Sequence, residues 1–154
     1  MRELRYTLVS DGSSDRALIP ILNWLLRQYA TGCAIQPEWA DLRRLPRPIR
    51  NLTERIRTSL DLYPCDLLFV HRDAENISYE RRVNEIERAL RAVSEWERGR
   101  TIGVVPVRMT EAWLLVDETA LWKAAGNPNG QQPLALPSFG QLEQLPDPKN
   151  VLDE

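Results

Sequence analysis

A chain of 154 residues, 43% hydrophobic and 27% charged, has the size and balance of a single globular domain. At this length folding buries roughly 68 to 70 per cent of the unfolded surface, so neither a disulfide nor a structural metal is needed to hold the core. No apolar stretch is long enough for a membrane span, and Met1-Arg2-Glu3-Leu4-Arg5-Tyr6 lacks a signal-peptide layout, which points to the cytoplasm. Cys33 and Cys65 match no zinc-ligand spacing and read as two buried thiols.

Lysine plus arginine number 20 and acidic residues 22, a net charge of −2 that argues against an electrostatic grip on nucleic acid by the whole surface. The charge is unevenly spread. Between positions 43 and 57 lie Arg43, Arg44, Arg47, Arg50, Arg55 and Arg57 with one acid, Glu54, whereas positions 101 to 154 hold three basic and seven acidic residues.

The apolar run Tyr6 to Ser10 predicts a strand that ends in an Asp11-Gly12 turn, followed by Ser13-Ser14-Asp15 and a helix over Ala17 to Tyr29. Gly12 suits a sharp turn, Asp15 suits the positive end of the helix dipole, and Pro20 predicts an early kink or a later start. Ala34 to Trp39 predicts a second strand interrupted by Pro37, and a helix follows from about Ile49 to Leu62. Leu67-Leu68-Phe69-Val70 is continuously apolar, as in a strand covered on both faces. Ser78 caps a helix to about Trp96, Thr101 to Val107 forms another strand, and a helix from Thr110 through Trp122 stops at Gly126.

Strands alternating with helices give an α/β class: a Rossmann-like, mostly parallel sheet with helices on both faces and right-handed crossovers. Residues 126 to 141 predict a loop, and Asp147-Pro148 opens one more short helix. That element is expected to be truncated or completed by a partner chain. The five tryptophans are expected mostly in the core.

In an open parallel sheet the crevice lies at the carboxyl ends of the strands, so acids placed just after strands are the candidates for chemistry. These are Asp11, the pair Asp73 and Glu75, and Glu111. Asp73 and Glu75 share a face if the backbone stays extended, and an all-oxygen set suits Mg²⁺ or Mn²⁺ rather than zinc. His71 reads as a strand-end side chain with a structural hydrogen bond. Asp11-Gly12 also fits a plain turn, Asp73 and Glu75 fit solvated loop charge, and Glu111 fits a dipole complement.

The order strand, Asp11-Gly12-Ser13-Ser14-Asp15, helix, then apolar strand and Asp73-Ala74-Glu75 resembles the Toprim domain. Glu111-Ala112-Trp113-Leu114-Leu115-Val116-Asp117 is similar to a signature of a bacterial Toprim-related family, and Asp147-Pro148-Lys149 is similar to that family's late segment. The resemblance implies a Toprim-like domain over residues 1–125, with 126–154 as C-terminal loop and short helices. It further implies metal-dependent phosphodiester hydrolysis on nucleic acid, as in OLD-type nucleases of bacterial defence, with an ATPase partner and a homo-oligomer among the possible assemblies. Asp73, Glu75 and Asp11 would hold Mg²⁺ or Mn²⁺, Asp11 and Glu111 would be catalytic, Gly12 and Ser13 would face the phosphate, and the six arginines would guide a nucleic-acid backbone. Asp11 stands where that family has glutamate, and Glu75 where it has aspartate. Two other readings stay open: a non-catalytic interaction module, and a small-molecule phosphatase or nucleotide binder.

Overall fold

The computed structural model describes residues 2–74, 76–107, 115, 117–142 and 144. The chain divides into two compact units, Met1–Arg72 with Glu80–Val105, and Asp73–Tyr79 with Pro106–Glu154.

The first unit is built on a four-stranded, all-parallel sheet of order β2-β1-β3-β4. Its strands are β1 (Arg2–Val9), β2 (Cys33–Trp39), β3 (Leu67–His71) and β4 (Thr101–Val104), and its helices are α1 (Leu18–Tyr29), α2 (Leu52–Leu62) and α3 (Tyr79–Arg91). The chain moves from β1 to β2 in one direction across the sheet and from β2 past β1 to β3 and β4 in the other. Right-handed crossovers therefore require α1 on one face and α2 with α3 on the opposite face. The packing agrees. Leu18, Leu22 and Leu26 of α1 meet Tyr6, Leu8 and Phe69, while Ile56 of α2 and Ile86 and Leu90 of α3 meet Val9, Leu68 and Val70. Alternate residues of β1 and β3 thus serve opposite layers, which is why Leu67 to Val70 reads as an unbroken apolar run and why Tyr6 to Val9 of β1 is buried at every position. Tyr6 and Phe69 pack edge to face with ring centroids 5.2 Å apart.

Several boundaries differ from the sequence reading for local reasons. Of the two effects expected of Pro20, the later start is observed: α1 begins at Leu18, which puts Pro20 in the first turn, where it has no intrahelical bond to lose. A 3₁₀ turn, Ser13–Ala17, precedes it. Pro37 is accommodated because β2 is an edge strand, paired only with β1. Helix α2 begins at Leu52, where the Asn51 side chain accepts from the Thr53 and Glu54 N–H groups. Cys33 and Cys65 are free and partly exposed rather than buried. Of the described tryptophans, Trp39 and Trp96 are half-buried and pack against the two core clusters, Trp122 is half-buried, and Trp24 is exposed.

In the second unit α4 (Glu118–Ala124) begins at Asp117, whose side chain accepts from Ala120 N–H, so the expected helix from Thr110 does not run unbroken to Gly126. Gly126 does end it, with φ of 75°. Glu118 accepts from Leu134 N–H at 2.8 Å and ties the following loop to α4, and α5 spans Phe139–Leu142. The expected helix at Asp147 lies outside the described residues. Among the described residues no helix is long and apolar enough to cross a membrane.

Candidate functional site at the strand ends

Reversal of direction between β1 and β3 makes their carboxyl ends the topological switch point, where an open α/β sheet has its crevice. Two clusters meet that rim, one on each face of the sheet.

On the α1 face lies Asp15, buried in the turn before α1, with one carboxylate oxygen 3.4 Å from Nδ1 of His71 at the end of β3. The same oxygen accepts from Gly12 N–H at 3.0 Å. His71 belongs to the alternating series Leu67, Phe69, His71 that faces α1, which is what brings the two together. Burial pushes the Asp15 carboxyl up, but His71 beside it, the Gly12 N–H that donates to it and the nearby Ser10 hydroxyl leave it below the ordinary carboxylate value. Nearby, Trp39 Nε1–H donates to Ser10 Oγ at 3.0 Å, and Ser10 donates to the Gly12 carbonyl at 3.1 Å.

On the α2 and α3 face, Asp11 sits among arginines. One of its carboxylate oxygens is 2.7 Å from Arg55 Nη1 and 2.9 Å from Arg72 Nη1. Arg55 also donates to the Ser10 carbonyl. Arg72 reaches Glu85 of α3 at 3.1 Å, and Glu85 pairs with Arg82 at 2.8 Å. The guanidinium-bearing side chains of Arg55 and Arg72 are only 14% and 16% exposed, so they are held rather than waving in solvent.

The sequence candidates thus fall into separate places. Asp11 lies in the arginine network of the first unit, Asp73 is half-buried at the start of the second, and Glu75 and Glu111 lie outside the described residues. Gly12 N–H is spent on Asp15, and Ser13 is an exposed first residue of the 3₁₀ turn. The six arginines do not act as one patch. Arg55 serves the rim, Arg57 donates to the Ala92 carbonyl at 3.0 Å, and Arg43 is bound by both oxygens of Asp41 and stacks over Trp39 at 4.8 Å. That pairing with Arg43 holds Asp41 down at about 2. Arg44, Arg47 and Arg50 are exposed. A cleft of about 330 Å³ opens beside the rim, lined by Asp11, Gly12, Trp39, Arg43, Pro48 and Arg55 among others.

From the sequence Asp15 reads as a dipole complement and His71 as structural, and nothing singles out Arg72. The available signal was spacing: Asp15 stands three residues after Gly12, the distance at which a side chain reaches back to a cap N–H. Arg72 carried no such signal, since its partners are 61 and 13 positions away.

Gly12 has extended backbone, φ −136° and ψ 169°, and a Cβ there would meet only ordinary contacts at 3.7 and 4.0 Å. Gly12→Ala is therefore expected to change stability by less than about 0.5 kcal/mol in urea denaturation. If phosphate approaches this backbone, the same variant loses ligand affinity while keeping its midpoint; a large stability loss would show that the turn itself needs glycine.

These residues differ in how well they suit a divalent metal. Asp11 is a poor first ligand, because a cation beside it competes with two guanidiniums for one oxygen. Asp15 and His71 fit better: a carboxylate and an imidazole lie within 3.4 Å. Such a mixed pair favours Mn²⁺ over Mg²⁺, which prefers oxygen alone. No protein-family model matches the chain, and no curated protein or solved structure matches it at a significant level.

Proposed function

We propose that this protein is a metal-dependent phosphoryl-transfer enzyme that hydrolyses phosphodiesters in nucleic acid. The observation that carries the reading is the convergence of Arg55 and Arg72 on a single anionic oxygen at the switch-point rim. Asp11 supplies that oxygen in the free protein. A phosphate offers the same kind of acceptor, and arginine's planar fork binds it with two parallel donors. Substrate would then draw Arg55 and Arg72 toward its non-bridging oxygens and leave Asp11 beside the reacting group, placed to take or return a proton.

Asp15 and His71 of the first unit would hold a divalent cation; Asp73 and Glu75 stay metal-ligand candidates on their sequence pattern alone. When bound, the cation would neutralise a non-bridging oxygen and lower the pKa of the attacking water. The exposed Arg44, Arg47 and Arg50 would add salt-sensitive contacts along the backbone. An ATPase partner, as in defence nucleases, belongs to this same reading.

One observation favours a second reading, a non-catalytic module: the His71 side chain has no solvent exposure, and Asp11 is already engaged twice. Single-stranded DNA, duplex DNA and tRNA incubated with Mg²⁺ or Mn²⁺ separate the two. Cleavage is expected with Mn²⁺, reduced at least tenfold in each of Asp15→Asn, Asp73→Ala and Arg72→Ala. Cleavage by Asp73→Ala and Asp15→Asn at the wild-type rate overturns the enzyme reading. Absence of cleavage, with no calorimetric Mn²⁺ binding below millimolar concentration, selects the module.

A further inference from the structure

Helix α1 is wrapped in more apolar surface than its own sheet covers. Leu18, Leu22 and Leu26 point into the core, yet Ile21, Trp24, Leu25 and Tyr29 form a second stripe at three- and four-residue spacing. That stripe faces outward: Trp24 is 62% and Tyr29 83% exposed, with Ile21 and Leu25 at about 40%. At ~150 to 250 Å² for each large aromatic residue, the four leave on the order of 500 Å² of apolar surface in water. This lies at the upper end of what a monomer shows, where patches mark interaction sites.

The stripe carries no charge. Arg27 is the only ionic residue of α1, and it sits with Asn23 on the opposite flank. An identical stripe can therefore approach without setting like charges against each other, whereas a partner chosen by charge would find nothing to read.

We propose that this face of α1 is a homodimer interface, formed by two antiparallel α1 helices about a two-fold axis near Leu25. In that arrangement Ile21 meets the partner's Tyr29, and Trp24 covers the partner's Leu25, an isologous contact of the commonest symmetry. Two such faces together remove on the order of 1,000 Å² from water, near the lower bound for a specific association, so a micromolar rather than a permanent dimer is expected. The interface stands apart from the strand-end rim and does not depend on the phosphodiester reading.

Sedimentation equilibrium from 1 to 200 µM tests it. The wild type is expected to move with concentration from 17.8 kDa toward twice that mass. Trp24→Glu, at a site exposed enough to fold normally, should weaken association at least tenfold with an unchanged thermal midpoint; Arg27→Glu, on the other flank, should leave it intact. A wild type that stays at 17.8 kDa throughout, or a dimer that survives Trp24→Glu combined with Tyr29→Glu, overturns the proposal.

Discussion

Asp15→Ala is expected to lower the stability of the protein by about 1 to 3 kcal/mol at neutral pH, the range for leaving a buried polar group without its partner. Two losses combine. His71, fully buried, forfeits the carboxylate that faces its Nδ1 at 3.4 Å, and Gly12 N–H forfeits its acceptor at the start of the 3₁₀ turn. The effect should depend on pH, and its sign follows from the direction of the shift. Because Asp15 titrates below its ordinary value in the folded state, it binds fewer protons there than in the unfolded chain at moderately acid pH. Its contribution is thus fully present above the unfolded value of about 3.9 and is lost as pH falls through the lower folded value. Urea denaturation of wild type and Asp15→Asn at pH 7, 5 and 3 reads this directly. The gap between the two should hold from pH 7 to 5 and narrow by pH 3; a constant gap, or a neutral-pH cost under 1 kcal/mol, means that Asp15 is an ordinary surface acid.

The layers of this fold were legible because they rest on periodicity. Leu67 to Val70 could be read as a strand covered on both sides, and the covering helices follow from the alternation of strand and helix patterns. Pro20 and Pro37 were harder, since the same residue breaks an element in its interior and is harmless in a first turn or on a sheet edge. Which of those applies is decided by strand order, and nothing local to Pro37 reveals it. The outward stripe of α1 was likewise hidden. Trp24 looks like core in a sequence, and only the position of the sheet under Leu18, Leu22 and Leu26 shows that it is not.

At the rim the sequence located the neighbourhood but not the pairings. Acids after strand ends are visible because the rule for open sheets needs only strand boundaries. The partners of those acids are set by which side of a strand each neighbour faces. His71 and Arg72 are adjacent, yet they serve opposite faces: one meets Asp15 on the α1 side, the other meets Asp11 and Glu85 on the α2 and α3 side. Asp11 and Asp15, only four residues apart, are divided in the same way. The run of six arginines looked uniform for the opposite reason, since a count of charge says nothing of which guanidiniums are already bound.

Asp11→Ala provides the sharpest view of that network. Removing the shared carboxylate leaves Arg55 and Arg72, each about one-sixth exposed or less, with their positive heads drawn together and no anion between them. A fully buried uncompensated charge costs about 3 to 5 kcal/mol, but Asp11 is itself 43% exposed and Glu85 and the Ser10 carbonyl keep their contacts, so the expected loss is about 1 to 3 kcal/mol. Neutralising one arginine as well should return part of it: Asp11→Ala with Arg72→Met should be at least 1 kcal/mol more stable than additivity predicts. Phosphate distinguishes this structural role from the anion site inferred above. In Asp11→Ala the donors that met Asp11 are released, so millimolar phosphate or sulfate should raise the thermal midpoint of the variant more than that of the wild type, where Asp11 competes for the same donors. A variant as stable as wild type, with additive double substitution and no anion response, would show that Arg55 and Arg72 do not act together on Asp11, and the phosphodiester reading would lose the observation that carries it.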